Sequence, residues 1–228
     1  MDIRHNVKKV MERIAEAAYR TGRHPDDIIL IAVTKSVKPN DIISAINAGV
    51  EHIGENRVQE FLEKDGAIPG QVKRHFIGTL QTNKVKYIID RMDLIHSLDR
   101  LTLAREINKR AANVGRIMPV LIQVNISREE TKSGVLQEKL HEFIEELAPF
   151  THIQIKGLMA IAPFSENSEE SRRYFAEMRN LYHEIDEKKY PNVDMEYLSM
   201  GMTNDFEAAV EEGSNIVRIG RAIFGERY

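Results

Sequence analysis

Lys35 stands within the stretch IILIAVTKSVKP, where six consecutive apolar residues, 28–33, give way to Thr34 and a primary amine. A lysine at a strand end is often only a solvated edge charge. An amine held partly out of water behaves differently, because burial penalises the ammonium, and the neutral form attacks aldehydes to give a Schiff base. Near the C-terminus, Ser199-Met200-Gly201-Met202-Thr203 leads into Asn204-Asp205, and Arg218-Ile219-Gly220-Arg221 follows. These segments offer small residues, hydroxyls and backbone N–H groups, which is what an oxyanion needs. Ser199, Gly201, Gly220 and Arg221 would make the contacts, largely through backbone. Tight turns alone would equally explain the two glycines.

These residues are useful together only if the fold brings them together. Ile3, Val7, Val10, Ile14 and Ala17 or Ala18 fall on one helical face, which predicts an amphipathic helix over 3–20 that stops near Gly22. After it, short apolar runs alternate with longer amphipathic segments. The runs are 28–33, 52–54, 75–78, 94–98, 120–125, 155–160, 195–200 and 217–220, with helices starting near Pro39, Arg57, Gln81, Asp99, Gln137, Glu169 and Asn204. Repeated strand–helix units imply parallel strands with right-handed crossovers, and eight of them close a β/α (TIM-type) barrel. An open doubly wound sheet would more often carry a glycine-rich turn after its first strand, and AVTKSVKPND contains no glycine. The expectation is one α/β barrel domain over 1–228, with residues 1–22 packed on it as an extra helix. APFSENSEES reads as a polar loop entering the helix that Glu169 and Glu170 open.

Composition narrows the function classes. With 228 residues, 42% hydrophobic and 29% charged, the chain has the core and surface of an ordinary soluble protein. A formal charge of -3 leaves no global basic field for nucleic acid or anionic membrane. The chain has no cysteine, which excludes disulfides, thiolate zinc sites and cysteine nucleophiles. No apolar run approaches a membrane span and the charged N-terminus lacks a secretory pattern, so a cytoplasmic protein is expected.

In a barrel, strand ends face the site and strand starts mostly serve stability. Lys35 then stands at the mouth after the first strand, while the loops after strands seven and eight form the usual barrel phosphate site. An amine opposite an oxyanion site suggests a phosphorylated aldehyde, with pyridoxal 5′-phosphate (PLP) as the candidate. Arg218 shares a strand face with Gly220, which would put its guanidinium under the ring if Gly220 meets the phosphate. Arginine keeps its proton, so paired with the pyridine nitrogen it would leave that nitrogen unprotonated and the cofactor a weak electron sink. The competing reading pairs Arg218 with a core carboxylate such as Glu51.

The segments AVTKSVKP, IGENRVQE, HFIGTLQTNK, VNISREETKSG, KGLMAIAP, LSMGMTNDFEAAV and VRIGRAIFGER run from near residue 28 to the C-terminus. Together they resemble the pyridoxal phosphate homeostasis protein family, relatives of the alanine racemase barrel. The resemblance implies PLP held through Lys35 as an internal aldimine, phosphate held by the Ser199–Met200–Gly201 and Gly220–Arg221 segments, and Arg218 at the pyridine nitrogen. It also implies Asn56, of Gly54-Glu55-Asn56, near the ring; Met200 and Met202 are expected to pack. The chain departs from the family pattern in two places. Ser36 and Val37 separate Lys35 from Lys38 where many members have a single residue, and Arg221 replaces a common threonine. A backbone contact to phosphate survives that exchange, but a hydroxyl contact does not. Lys132, after strand five, is either a second amine for PLP or a solvated loop charge.

Cofactor binding alone does not imply turnover. The resemblance implies a carrier that stores PLP and supplies apo-enzymes in vitamin B6 homeostasis. The alternative is a PLP-dependent amino-acid racemase, which needs a second acid–base group on the other face of the substrate; in alanine racemases that group is a tyrosine from another subunit, with help from a C-terminal β domain. No tyrosine in this chain is clearly placed for that role, and the chain reaches Tyr228 about eight residues after the eighth run. A barrel for a phosphorylated sugar is a third reading. A monomer is expected, since a racemase-type pairing domain is absent.

Overall fold

The computed structural model describes residues 2–129, 131–163 and 167–226, without the side chain of Ser168. Eight parallel strands, β1 (Ile29–Val33), β2 (His52–Glu55), β3 (Lys73–Phe76), β4 (Leu94–Leu98), β5 (Met118–Val124), β6 (Ile153–Ala160), β7 (Val193–Ser199) and β8 (Ile216–Ile219), close into a barrel in chain order. The closing pair aligns Ile31 of β1 with Arg218 of β8. The chain is therefore a β/α barrel and not an open sheet. Around it lie α2 (Pro39–Ile46), α3 (Val58–Asp65), α4 (Leu101–Asn113), α5 (Leu140–Leu147), α6 (Ser168–Lys188), α7 (Phe206–Glu211) and α8 (Arg221–Phe224).

The N-terminal helix α1 (Ile3–Arg20) is capped by Asp2, whose carboxylate accepts the His5 N–H at 3.0 Å. Its buried face is Val7, Val10, Ile14, Ala17 and Ala18, as the spacing predicts. It packs against α2, α7 and α8, and Arg13 reaches Glu207 at 2.6 Å. Inside the barrel, Ile31, Leu94, Leu121, Met159 and Ile216 form an apolar layer. The strands' outer faces meet the helices in two larger clusters.

Three sequence expectations are corrected. The third strand begins at Lys73, because Asp93 accepts the Arg74 N–H at 2.8 Å and Asp65 accepts Arg74 Nε at 2.8 Å, so charged residues enter the ladder with partners. The segment expected as a helix near Gln81 is a 3-10 turn, Thr82–Tyr87, closed by the Ile88 N–H on the Val85 carbonyl. The helix expected from Asn204 begins at Phe206, because Asp205 Oδ1 takes the Met202 N–H at 2.6 Å and holds residues 202–205 in a turn. In the APFSENSEES loop, residues 164–166 lie outside the described residues; Asn167 caps α6 by accepting the Glu169 N–H.

Candidate functional site

At the C-terminal ends of the strands, a cavity of about 540 Å³ is lined by Lys35, Lys132, Met202, Asn204, Arg218 and Arg221, among others. Its size falls in the range of small-molecule sites. Gly220 also lines it. The sequence therefore places the amine, the guanidinium and the turn after β8 in one hollow.

The turn that presents Lys35 is built from below. The Val37 N–H closes on the Thr34 carbonyl at 3.0 Å, and Ser36 adopts a left-handed φ of 56°. The buried Lys64 ammonium, from α3, donates to the Thr34 carbonyl at 2.7 Å, to Glu55 at 3.0 Å and to Glu60 at 2.6 Å. Glu60 accepts the Ser36 N–H, and Thr34 Oγ1 donates to Glu55 at 2.6 Å. The backbone is thus fixed on both sides of Lys35. Burial raises the Glu55 carboxyl against the pull of Thr34 and Lys64. Burial pushes Glu60 upward too, but Lys64 and the Ser36 N–H outweigh it and hold that carboxyl low. Lys35 itself is exposed at the mouth, where it borders both the cavity and the hollow beside it.

Arg218 is buried beneath the cavity. Its Nη1 donates to the Ser199 carbonyl at 2.8 Å and to Ser199 Oγ, and its Nη2 donates to the Ala160 carbonyl at 2.8 Å. These bonds occupy three of the five guanidinium hydrogens and leave two on a side chain that lines the cavity. Burial lowers its pKa to about 10 against the opposing charge of Asp205, so it stays cationic at neutral pH. Glu51, the carboxylate considered as its partner, is exposed at the start of β2 and is not a hydrogen-bond partner of Arg218.

The remaining predicted residues separate into distinct places. Ser199 is fully buried and turns into the barrel toward Arg218. Met200 is also fully buried and packs in the core between barrel and helices, while Met202, expected to pack, is exposed and lines the cavity. Gly201 sits at φ +91°, and a Cβ there would fall 2.5 Å from that of Ala209, so only glycine lets α7 approach this turn. Its carbonyl accepts the Arg218 N–H at 3.0 Å. Asn56 lines an adjoining hollow that shares Lys35 with the main cavity, and its buried Oδ1 lacks a hydrogen-bond partner among the described residues. Lys132 is half-buried on the main cavity wall and paired with Glu129 at 2.8 Å, whereas Lys38 is exposed at the start of α2 and is not part of that wall.

Reading the sequence missed the Lys64 clamp, the carboxylate Asp205 in the cavity, and a row of interior histidines leading to Ser199. The last had a visible signal: HIGE, KRHF and LIHSL each bring a histidine into one of three consecutive strands.

A lysine amine, a buried cation with two N–H donors unpaired among the described residues, a carboxamide oxygen likewise unpaired among them, and a glycine turn suit a ligand with an aldehyde, a polar aromatic ring and an anionic group. The chain is also similar to known proteins. The family described as "Alanine racemase, N-terminal domain" matches residues 2–228. A pyridoxal phosphate homeostasis protein of Aquifex aeolicus is 46% identical over 228 residues, covering 100% of this chain and 99% of that protein. One from Escherichia coli K12 is 40% identical, covering 99% and 97%. The solved structure of PipY from Synechococcus elongatus with PLP bound superposes with a TM-score of 0.81 at 33% identity, covering 95% and 100%.

Proposed function

We infer function from one premise: the chain belongs to the pyridoxal phosphate homeostasis protein family. We propose that it binds PLP at the barrel mouth, keeps it in reserve and releases it to apo-enzymes, with no substrate turnover of its own. The observation behind this reading is the single cavity that gathers Lys35, Arg218 and Gly220–Arg221. PLP supplies an aldehyde that condenses reversibly with a primary amine, along with a phosphate and a ring nitrogen to be held.

In this proposal Lys35 would bond the aldehyde carbon, the carbonyl oxygen leaving as water, and the Lys64 clamp fixes the turn that aims it. Arg218 donates to the ring nitrogen, and Asn56 contributes its orphaned oxygen at the ring's edge. Backbone N–H groups of Gly201 and of the Gly220–Arg221 segment receive the phosphate, while Met200, whose own N–H donates to the Ile216 carbonyl, packs behind them and Ser199 acts through Arg218. A donor that keeps its proton at the ring nitrogen favours storage over carbanion chemistry, because it leaves the ring a poor electron sink. An exposed Lys35 suits a cofactor that must come and go.

A racemase needs a second acid–base group across the substrate. Tyr197, the strand tyrosine, opens to a hollow at the opposite end of the barrel beside Lys73 and Lys156, and burial together with Glu196 pushes its phenol up to about 12. It is remote from the mouth, and at neutral pH its phenol stays protonated and cannot serve as a base. Tyr228 lies outside the described residues. The proposal includes a monomeric, single-domain protein of the cytoplasm that uses neither nucleic acid nor membrane; among the described residues no helix is long and apolar enough to cross a membrane.

The test pairs two measurements on the PLP-loaded chain. It should restore activity to an apo PLP-dependent enzyme while leaving the optical rotation of L-alanine unchanged. Loss of rotation at a rate proportional to added protein would overturn the carrier reading.

A further inference from the structure

A line of buried polar groups runs through the barrel interior and ends on Arg218. His52 Nδ1 lies 2.9 Å from His75 Nε2, His75 Nδ1 lies 2.9 Å from His96 Nε2, and His96 Nδ1 lies 3.1 Å from Ser199 Oγ, which Arg218 Nη1 also contacts. Strand register produces the row. His75 aligns with Gly54, two residues beyond His52, and with Leu94, two residues before His96, so each imidazole stands one inward position higher than the last. The row begins at the floor hollow, where half-buried His52 meets Lys73 and Asp93, and ends under the mouth.

The donor direction along this row is forced from one end. A guanidinium can only donate, so Ser199 Oγ accepts from Arg218 and must place its own proton elsewhere. Ser199 is fully buried, and among the described residues its remaining hydroxyl contact is His96 Nδ1, which accepts because the hydroxyl proton would otherwise be buried unpaired. His96 then carries its hydrogen on Nε2 and donates to His75 Nδ1; His75 likewise donates from Nε2 to His52 Nδ1. Burial favours neutral rings: it depresses His75 to about 3 and His96 well below the ordinary histidine range, and lowers half-buried His52. Each imidazole turns its acceptor toward the cation, so the dipoles add in the sense that stabilises Arg218.

We propose that His96, His75 and His52 are positioning residues for Arg218, three neutral imidazoles locked as Nε2–H tautomers that hold the guanidinium charged and oriented at the cavity floor. The part of this proposal that concerns PLP rests on the reading of Arg218 as the ring-nitrogen partner. The tautomers do not depend on it.

The direct test uses the PLP-free, uniformly 15N-labelled chain and two-bond 15N–1H correlation spectra. His75 and His96 should be neutral Nε2–H tautomers that do not titrate between about pH 8 and about pH 5. An Nδ1–H tautomer or an imidazolium at either position would overturn the relay. Ser199→Ala should release His96 into mixed tautomers; an unchanged pure Nε2–H form would overturn the lock from Arg218. With PLP, His96→Phe should weaken binding about tenfold, equivalent to about 1.4 kcal/mol, and shift the visible band. His96→Gln keeps an acceptor for Ser199 and a donor for His75, and should stay within about twofold of wild type. Equal losses in both variants, or none in either, would remove the positioning role. If His96→Phe fails to fold, the wild-type tautomers still decide the relay. If the wild-type chain binds no PLP, the proposed function fails and the same spectra stand.

Discussion

The Lys64 ammonium lies 2.7 Å from the carbonyl oxygen of Thr34, the residue that precedes Lys35. It also joins Glu55 and Glu60, so one buried cation compensates two carboxylates under the turn. Lys64→Met leaves those carboxylates without a cation and should lower stability by about 3 kcal/mol in urea unfolding. Lys64→Met with Glu55→Gln should recover part of the loss, since the remaining charge imbalance is smaller. Additive effects in the double variant would show that the three groups do not act as one clamp.

Acid stability should reflect the interior histidines. His75 is held neutral in the folded chain, with a pKa of about 3 against an ordinary 6.5, so the unfolded chain binds more protons between those values. Its contribution is fully present above about pH 6.5 and is lost as pH falls, at about 1.4 kcal/mol per pH unit. His96 acts in the same sense, and Glu55, whose carboxyl burial raises, acts in the opposite sense. The urea midpoint should therefore fall steadily from about pH 7 to about pH 5. A flat profile over that interval would contradict the neutral row.

Gly201→Ala places a Cβ at a left-handed φ and against Ala209. It should cost about 1–3 kcal/mol and move the turn against α7. PLP affinity should fall with it, because the same turn borders the cavity. Unchanged affinity in a folded Gly201→Ala protein would remove this turn from the phosphate site.

The barrel was legible in the sequence because its signal is repetitive: buried β-branched runs at regular spacing admit few topologies. Lys35, Arg218, Gly220 and Arg221 were legible for a related reason, since barrel topology converts a place at a strand end into a place at the mouth. The rest depended on information that no linear pattern holds. Lys64 lies one helix away from the turn it braces, and its burial follows from how α3 lies against β2. The histidine row depends on strand register, and a shift of one residue would turn each ring to the other face. The sequence offers Ser199 as a ligand contact, but its side-chain direction is set by the row it completes. Thr34 is still fully buried and Lys35 is exposed in the turn that follows it, a change within one residue that the apolar run does not announce.

Lys132 supplies a control for the covalent site. It shares the cavity wall with Lys35 and pairs with Glu129. Lys132→Met should alter PLP affinity by no more than about tenfold, the scale of one charged contact, and leave the visible band in place. Loss of the band in this variant would assign the covalent bond to the wrong amine.

The central claim is that Lys35 bonds the cofactor. The measurement is borohydride reduction of the PLP-loaded chain followed by peptide mapping, with Lys35→Ala in parallel. The account predicts loss of the visible band on reduction, a pyridoxyl group on the peptide containing Lys35, and no stable adduct in Lys35→Ala. An adduct on another lysine in the wild-type chain, or PLP binding and a visible band that persist unchanged in Lys35→Ala, would contradict it.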